Sequence, residues 1–74
     1  MRWIRALLRY RPLPSAAQQV ALDLIKAIDE GGVPLHPARV NQIASQLGLP
    51  VSKTERVGDT VERIRTELKR LQLL

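Results

Sequence analysis

The chain has 74 residues, no cysteine and a formal net charge of +5, from 12 Lys and Arg against 7 Asp and Glu. This length allows one small domain with a thin margin of stability, and the absence of cysteine excludes a disulfide framework or a thiolate metal site. Apolar residues make up 45% of the chain, which excludes wholesale disorder. No apolar run is long enough to span a membrane, and the lack of disulfides fits a cytoplasmic location.

The first predicted helix covers roughly residues 2–10 and is amphipathic. Its spacing separates an aromatic and apolar stripe from an arginine stripe. The two stripes are Trp3, Leu7 and Tyr10, and Arg2, Arg5 and Arg9. Pro12 and Pro14 then stop the helix, because proline disfavours the helical conformation of the residue before it. We therefore expect residues 1–11, which also include Arg11, to form a basic N-terminal helix or arm beside a helical domain over residues 15–74.

Two shorter helices are expected next, and both have recognisable ends. Ser15 and Gln18 have the spacing of a capping box, which predicts a helix start at residue 15. Two glycines at 31–32 supply a left-handed stop. The following helix opens with Pro37, whose missing N–H is no loss in a first turn, and Gly48 ends it.

The fourth predicted helix is the longest and carries an apolar seam at alternating spacings of four and three residues. The seam consists of Val57, Val61, Ile64, Leu68 and Leu71. Two capping boxes compete for its start, Ser52 with Glu55 and Asp59 with Glu62. Because the seam keeps its phase throughout, we expect one long helix over about 53–72. The seam can be buried in the chain's own core or can pair with a second copy.

The segment QIASQLGL, residues 42–49, resembles the turn of the helix-turn-helix superfamily of DNA-binding domains. The matching residues are Ile43, Ala44, Leu47, Gly48 and Leu49. In that motif the small residue lets the second helix pack closely, the glycine takes a left-handed turn, and the last apolar residue fills the gap between helices. The resemblance covers about residues 38–71 and implies that TVERIRTELKRL serves as the recognition helix.

The spacing after the turn glycine departs from the family's usual pattern. The apolar anchor of the recognition helix commonly follows that glycine by about six residues, which falls on Thr54, whereas the apolar candidate Val61 lies seven residues further on. Seven residues are nearly two helical turns, so either the helix is extended backwards or a longer loop replaces the tight turn. The expected fold is all-α, a small four-helix domain with a helix-turn-helix-like core and a long C-terminal helix.

Candidate nucleic-acid-binding residues lie in two places. Recognition helices read base edges with residues near their N-terminus. These are Lys53, Thr54 and Arg56 if the helix starts early, and Arg63 if it starts late. Arginines of the N-terminal arm can lie along phosphates or enter a minor groove; they are Arg2, Arg5, Arg9 and Arg11.

The same residues can be interpreted without nucleic-acid binding. Arg63 and Glu67 have the i, i+4 spacing of an intrahelical ion pair. In the N-terminal segment, Trp3, Leu7 and Tyr10 can pack on the core while the arginines face water. That segment could also lie on a membrane surface.

No pattern in the sequence predicts catalysis, a metal site or a cofactor. The single histidine, His36, precedes Pro37 at a helix start, where a capping or loop role is ordinary. Ser15 and Ser52 also have capping spacings, so neither needs to be a nucleophile. We expect a nucleic-acid-binding protein that is not an enzyme, with duplex DNA as the preferred partner, a role in transcription regulation, and a possible homodimer through the fourth helix. The rival hypothesis is a protein–protein interaction module that binds an acidic partner or a second copy of itself.

Overall fold

The computed structural model describes residues 13–32 and 35–74, and this part of the chain is all-helical. It contains three α-helices and no strand: α1 (Ala16–Asp29), α2 (Pro37–Gln46) and α3 (Val57–Arg70). The prediction of a four-helix domain is therefore wrong, because the apolar faces of these three helices already close a core together. The helix predicted over residues 2–10 lies outside the described residues.

Both ends of α1 confirm the sequence prediction. The Gln18 N–H donates to Ser15 Oγ at 3.1 Å, and the Ser15 N–H donates to Gln18 Oε1 at 2.9 Å, which completes the capping box. At the other end Gly31 has a φ of +86°. Its N–H donates to the Ile28 carbonyl at 2.9 Å, so glycine supplies the left-handed residue that the helix end requires.

Helix α2 also begins and ends as predicted. Pro37 occupies its first turn, and Gly48 follows it with a φ of +86°. The Gly48 N–H donates to the Ser45 carbonyl at 2.9 Å, and the Leu49 N–H donates to the Ala44 carbonyl at 3.0 Å. These two bonds form a Schellman motif, which turns the chain sharply and brings partly buried Leu49 against the core.

The predicted start of the last helix is wrong. Helix α3 begins at Val57 rather than near residue 53, with Arg56 as an N-cap that makes no side-chain capping bond. The Glu55 carboxylate accepts hydrogen bonds from Thr60 and Arg63 instead of completing a capping box. Residues 47–56 thus form a connection, named here the α2–α3 loop. Of the two alternatives that the sequence left open, a longer loop in place of the tight turn is observed, and a helix extended backwards is not.

The core consists of aliphatic side chains from all three described helices. Its buried members are Ala21, Ile25, Val40, Ile43, Ala44, Val61, Ile64 and Leu68. Burial of each larger aliphatic side chain stabilises the fold by about 1.5–3 kcal/mol. The seam of α3 contributes three of these residues, so its central part faces α1 and α2 and is covered within the chain.

Two glycines at which an added Cβ would meet no atom within 4 Å differ in backbone conformation and provide a test of this fold. In Gly48→Ala the alanine must adopt a left-handed φ, which should destabilise the protein by about 1–2 kcal/mol. Gly58 lies in the first turn of α3, and a Cβ there meets no atom within 4 Å. Alanine at position 58 should therefore stabilise by about 0.4–1 kcal/mol. Urea unfolding followed by circular dichroism measures both changes, and shifts of the same sign would contradict the assigned helix bounds.

Candidate nucleic-acid interface

The α2–α3 loop and the first turns of α3 carry those predicted binding residues that the structure describes. Lys53 and Thr54 lie in a turn within the loop, Arg56 is the N-cap of α3, and Arg63 lies in the second turn of that helix. The arginines of the predicted N-terminal arm, which are Arg2, Arg5, Arg9 and Arg11, lie outside the described residues.

The guanidinium of Arg63 is held by the loop. Nη1 donates to both carboxylate oxygens of Glu55 at 2.9 Å, and Nη2 donates to the Pro50 carbonyl at 2.6 Å. The predicted ion pair between Arg63 and Glu67 is also wrong, since Glu67 pairs with Arg70 instead. Arg63 therefore has a structural role in holding the loop, and its contact with nucleic acid stays a prediction.

Glu55 is the centre of this arrangement. In addition to the bonds from Arg63, its Oε1 accepts a hydrogen bond of 2.6 Å from the hydroxyl of Thr60, a residue only 1% exposed. The hydrogen bonds from Thr60 and then from Arg63 lower the pKa of Glu55, and partial desolvation opposes them. We name Glu55, Thr60, Arg63 and the Pro50 carbonyl the Glu55 clamp.

The Glu55 clamp could not be predicted from residue spacing. Its members are separated by 5, 8 and 13 residues, and none of these spacings is a side-chain pairing within a regular helix. In a helix starting at residue 53, Glu55 and Arg63 would lie about 12 Å apart along the axis. The clamp can form only because the chain folds back on α3 before Val57.

The remaining polar side chains of the loop differ in their contacts: Thr54 forms hydrogen bonds, whereas Lys53 and Arg56 form no ion pair within the described residues. Thr54 is exposed, but its hydroxyl lies 2.8 Å from that of Ser52, and its N–H donates to the same Ser52 oxygen at 3.2 Å. Lys53 and Arg56 are exposed and form no ion pair with any acid in the described part of the chain. The loop thus presents two unpaired cations on a backbone that is tied down at Pro50 and Glu55.

Arg65, like Arg63 and Arg70, is a cation of α3 that is paired with an acid. Arg65 makes a bidentate contact with Asp29 of α1, with N–O distances of 2.9 and 3.1 Å, and lies 3.7 Å from Glu62. The hydrogen bond from Arg65 lowers the pKa of Asp29 and raises that of the arginine. Among the described residues the cations that form no ion pair are Lys26, Arg39, Lys53, Arg56 and Lys69.

Residues 13–32 and 35–74 contain neither a membrane-spanning helix nor a cluster of metal ligands. No helix in these ranges is both long and apolar enough to cross a bilayer. The same ranges contain no group of three or more His, Asp or Glu side chains placed to hold a metal ion.

The lowered pKa of Glu55 predicts a pH-dependent effect of Glu55→Gln. A carboxylate whose pKa is lower in the folded state stabilises the protein above its unfolded pKa, roughly 4.3 for glutamate, and loses this effect as pH falls through the folded value. Glu55→Gln should therefore lower the melting temperature most near neutral pH. The difference from the unchanged protein should shrink as the pH falls through the lowered folded pKa of Glu55, below which the carboxyl group is protonated in both states.

Thermal unfolding followed by circular dichroism across this pH range measures the effect. Glu62→Gln is the matched control, because Glu62 is 71% exposed at its side chain and its one ion pair within the described residues is the 3.7 Å contact with Arg65. A melting-temperature difference for Glu55→Gln that stayed constant from neutral to acid pH would contradict the clamp.

Comparison with known proteins assigns the chain to no family. No family model matches it, no curated protein matches it, and no solved structure matches it. The charges and contacts of its own residues are therefore the basis for assigning it a function.

Proposed function

We propose that this chain is a small helical domain that binds nucleic acid through the phosphate backbone, with duplex DNA as the preferred partner. The observation that carries the proposal is the state of the cations in and near α3. Arg63, Arg65 and Arg70 are paired with acids. Among the described residues, Lys53 and Arg56 of the α2–α3 loop are exposed and form no ion pair, and the same holds for Lys69 near the other end of α3. Exposed lysine and arginine side chains commonly contact the phosphates of a nucleic-acid backbone.

The start of α3 adds a second favourable element. Its N-cap, Arg56, forms no side-chain capping bond, so this residue leaves the first-turn N–H groups without the side-chain acceptor that an N-cap commonly supplies. Helix N-termini with such N–H groups attract phosphate through both hydrogen bonding and the helix dipole. Lys53 and Arg56 both lie just before this helix start in the chain, so cationic side chains and helix N–H groups favour an anion at the same end of α3.

The overall charge supports the same assignment. Of the 12 Lys and Arg in the chain, four lie in residues 1–11, which leaves eight against all 7 Asp and Glu. The excess of positive charge is thus concentrated in the N-terminal segment, and Arg2, Arg5, Arg9 and Arg11 stay candidates for further phosphate contacts. A basic end attached to a nearly neutral domain favours association with a polyanion.

Base reading by α3 has weaker support than phosphate contact. Asp59 and Glu62 are exposed in its first turns, and carboxylates there repel phosphates, while Arg63 is held by Glu55. A role in transcription regulation rests on the resemblance to helix-turn-helix domains, which also favours duplex DNA. We therefore propose that phosphate contacts provide most of the binding affinity, and we assign no sequence-specific base contact to α3.

Binding measured across a salt titration tests this function. Labelled duplex DNA, single-stranded DNA and RNA are titrated with the protein and with Lys53→Ala/Arg56→Ala. Each phosphate contact that is lost should reduce the slope of log K against log salt by about 1. The double variant should therefore bind more weakly, with a slope reduced by about 2 if both cations contact phosphates.

Lys26→Ala/Arg39→Ala is the matched control, because it removes two exposed, unpaired cations from α1 and α2. It should change the slope less than the loop pair does. Equal losses from both pairs would mean diffuse attraction without a defined surface. Failure of all three nucleic acids to bind at low salt would overturn the proposed function.

A protein–protein interaction module is the second candidate, and an apolar patch favours it. Leu13 is 91% exposed and shares a cavity of about 160 Å³ with Leu71 and Leu73. In this candidate function a second copy of the chain packs on the apolar patch. The middle of the α3 seam is buried within the chain, so a homodimer would have to use a different apolar surface such as this patch. Light scattering without nucleic acid distinguishes this candidate, because self-association raises the measured mass with concentration.

A further inference from the structure

Glu55 is an acid placed between the two cations of the proposed phosphate surface. Lys53 precedes it by two residues and Arg56 follows it directly. A carboxylate exposed at this position would repel phosphate. Its side chain is instead only 22% exposed and accepts hydrogen bonds from Arg63 and Thr60. The negative charge is therefore directed towards α3 and largely compensated there.

The Glu55 clamp fixes the chain on both sides of Lys53. One guanidinium, that of Arg63, contacts the Pro50 carbonyl at 2.6 Å and both oxygens of Glu55 at 2.9 Å. Residues 51–54 lie between these two attachment points and are exposed. Arg56 follows the second attachment point directly and begins α3.

We infer that Glu55 is a positioning residue that holds Lys53 and Arg56 in the arrangement that contacts neighbouring phosphates. This inference rests on the proposed nucleic-acid binding and adds the means by which the loop achieves it. A loop held in its binding arrangement before the ligand arrives loses less conformational freedom on binding. The acid thus promotes the binding of an anion, which is the reverse of its direct electrostatic effect.

Direct electrostatics and positioning therefore predict opposite changes in DNA affinity when Glu55 is replaced. Glu55→Gln removes one negative charge beside the phosphate surface, so direct electrostatics alone predicts tighter binding to duplex DNA. Loss of positioning predicts weaker binding, by about threefold to tenfold if a few side chains must be ordered anew. Thr60→Val removes a clamp hydrogen bond without changing any charge, and it should weaken binding by a smaller factor.

Two control variants separate positioning from charge and from stability. Glu62→Gln removes one exposed acid from the same end of α3 without touching the clamp, so binding should be unchanged or tighter. Ile43→Val destabilises the core but leaves the loop contacts intact, so binding should be unchanged while the protein is folded. All variants are compared at a temperature where circular dichroism shows each to be fully folded.

The salt dependence distinguishes the possible outcomes. Weaker binding of Glu55→Gln together with a shallower salt slope than Glu62→Gln shows that phosphate contacts have been lost, and supports the inference. Binding of Glu55→Gln as tight as that of Glu62→Gln overturns the positioning role while leaving the proposed function intact. Failure of the unchanged protein to bind any nucleic acid overturns the proposed function itself.

Discussion

The carboxylate of Glu55 is the group on which the arrangement of the α2–α3 loop depends. It accepts hydrogen bonds from a buried hydroxyl and from a guanidinium that also holds the Pro50 carbonyl. Because these donors belong to the first two turns of α3, the loop must lie against that helix. A continuous helix from residue 53 would separate the partners, so the same contacts that fix the loop also determine where α3 begins.

The clamp acts on a helix that is itself held firmly in the domain. Helix α3 contributes Val61, Ile64 and Leu68 to the core, and Arg65 joins it to Asp29 of α1. The aliphatic core therefore sets the position of α3, and the clamp transmits that position to the loop. In a chain this short, such side-chain contacts allow an irregular segment to be ordered without a large core of its own.

Local patterns in the sequence predicted the parts of the fold that depend on local chemistry. The capping box of Ser15 and Gln18, the left-handed Gly31 and Gly48, and the helix start at Pro37 were all confirmed, because each involves residues within a few positions of one another. The seam of α3 was also predicted correctly as an apolar face.

Contacts across the loop could not be predicted in the same way. Two capping boxes fitted the sequence equally well as the start of the last helix. The helix starts at Val57 and uses neither, because the Glu55 carboxylate accepts hydrogen bonds from residues five and eight positions further along the chain. Arg63 was assigned first to base contact and alternatively to Glu67, because helical spacing alone suggests both. Its real partners depend on how the loop folds back, which periodicity does not encode.

The central claim, that Glu55 fixes the loop, is tested most directly by amide ¹⁵N relaxation of residues 51–56. In the unchanged protein these amides should have order parameters close to those of α3, about 0.85, and Glu55→Gln should lower them towards about 0.6. Ile43→Val should leave them unchanged. Loop amides that are already mobile in the unchanged protein, or that do not respond to Glu55→Gln, would contradict the account.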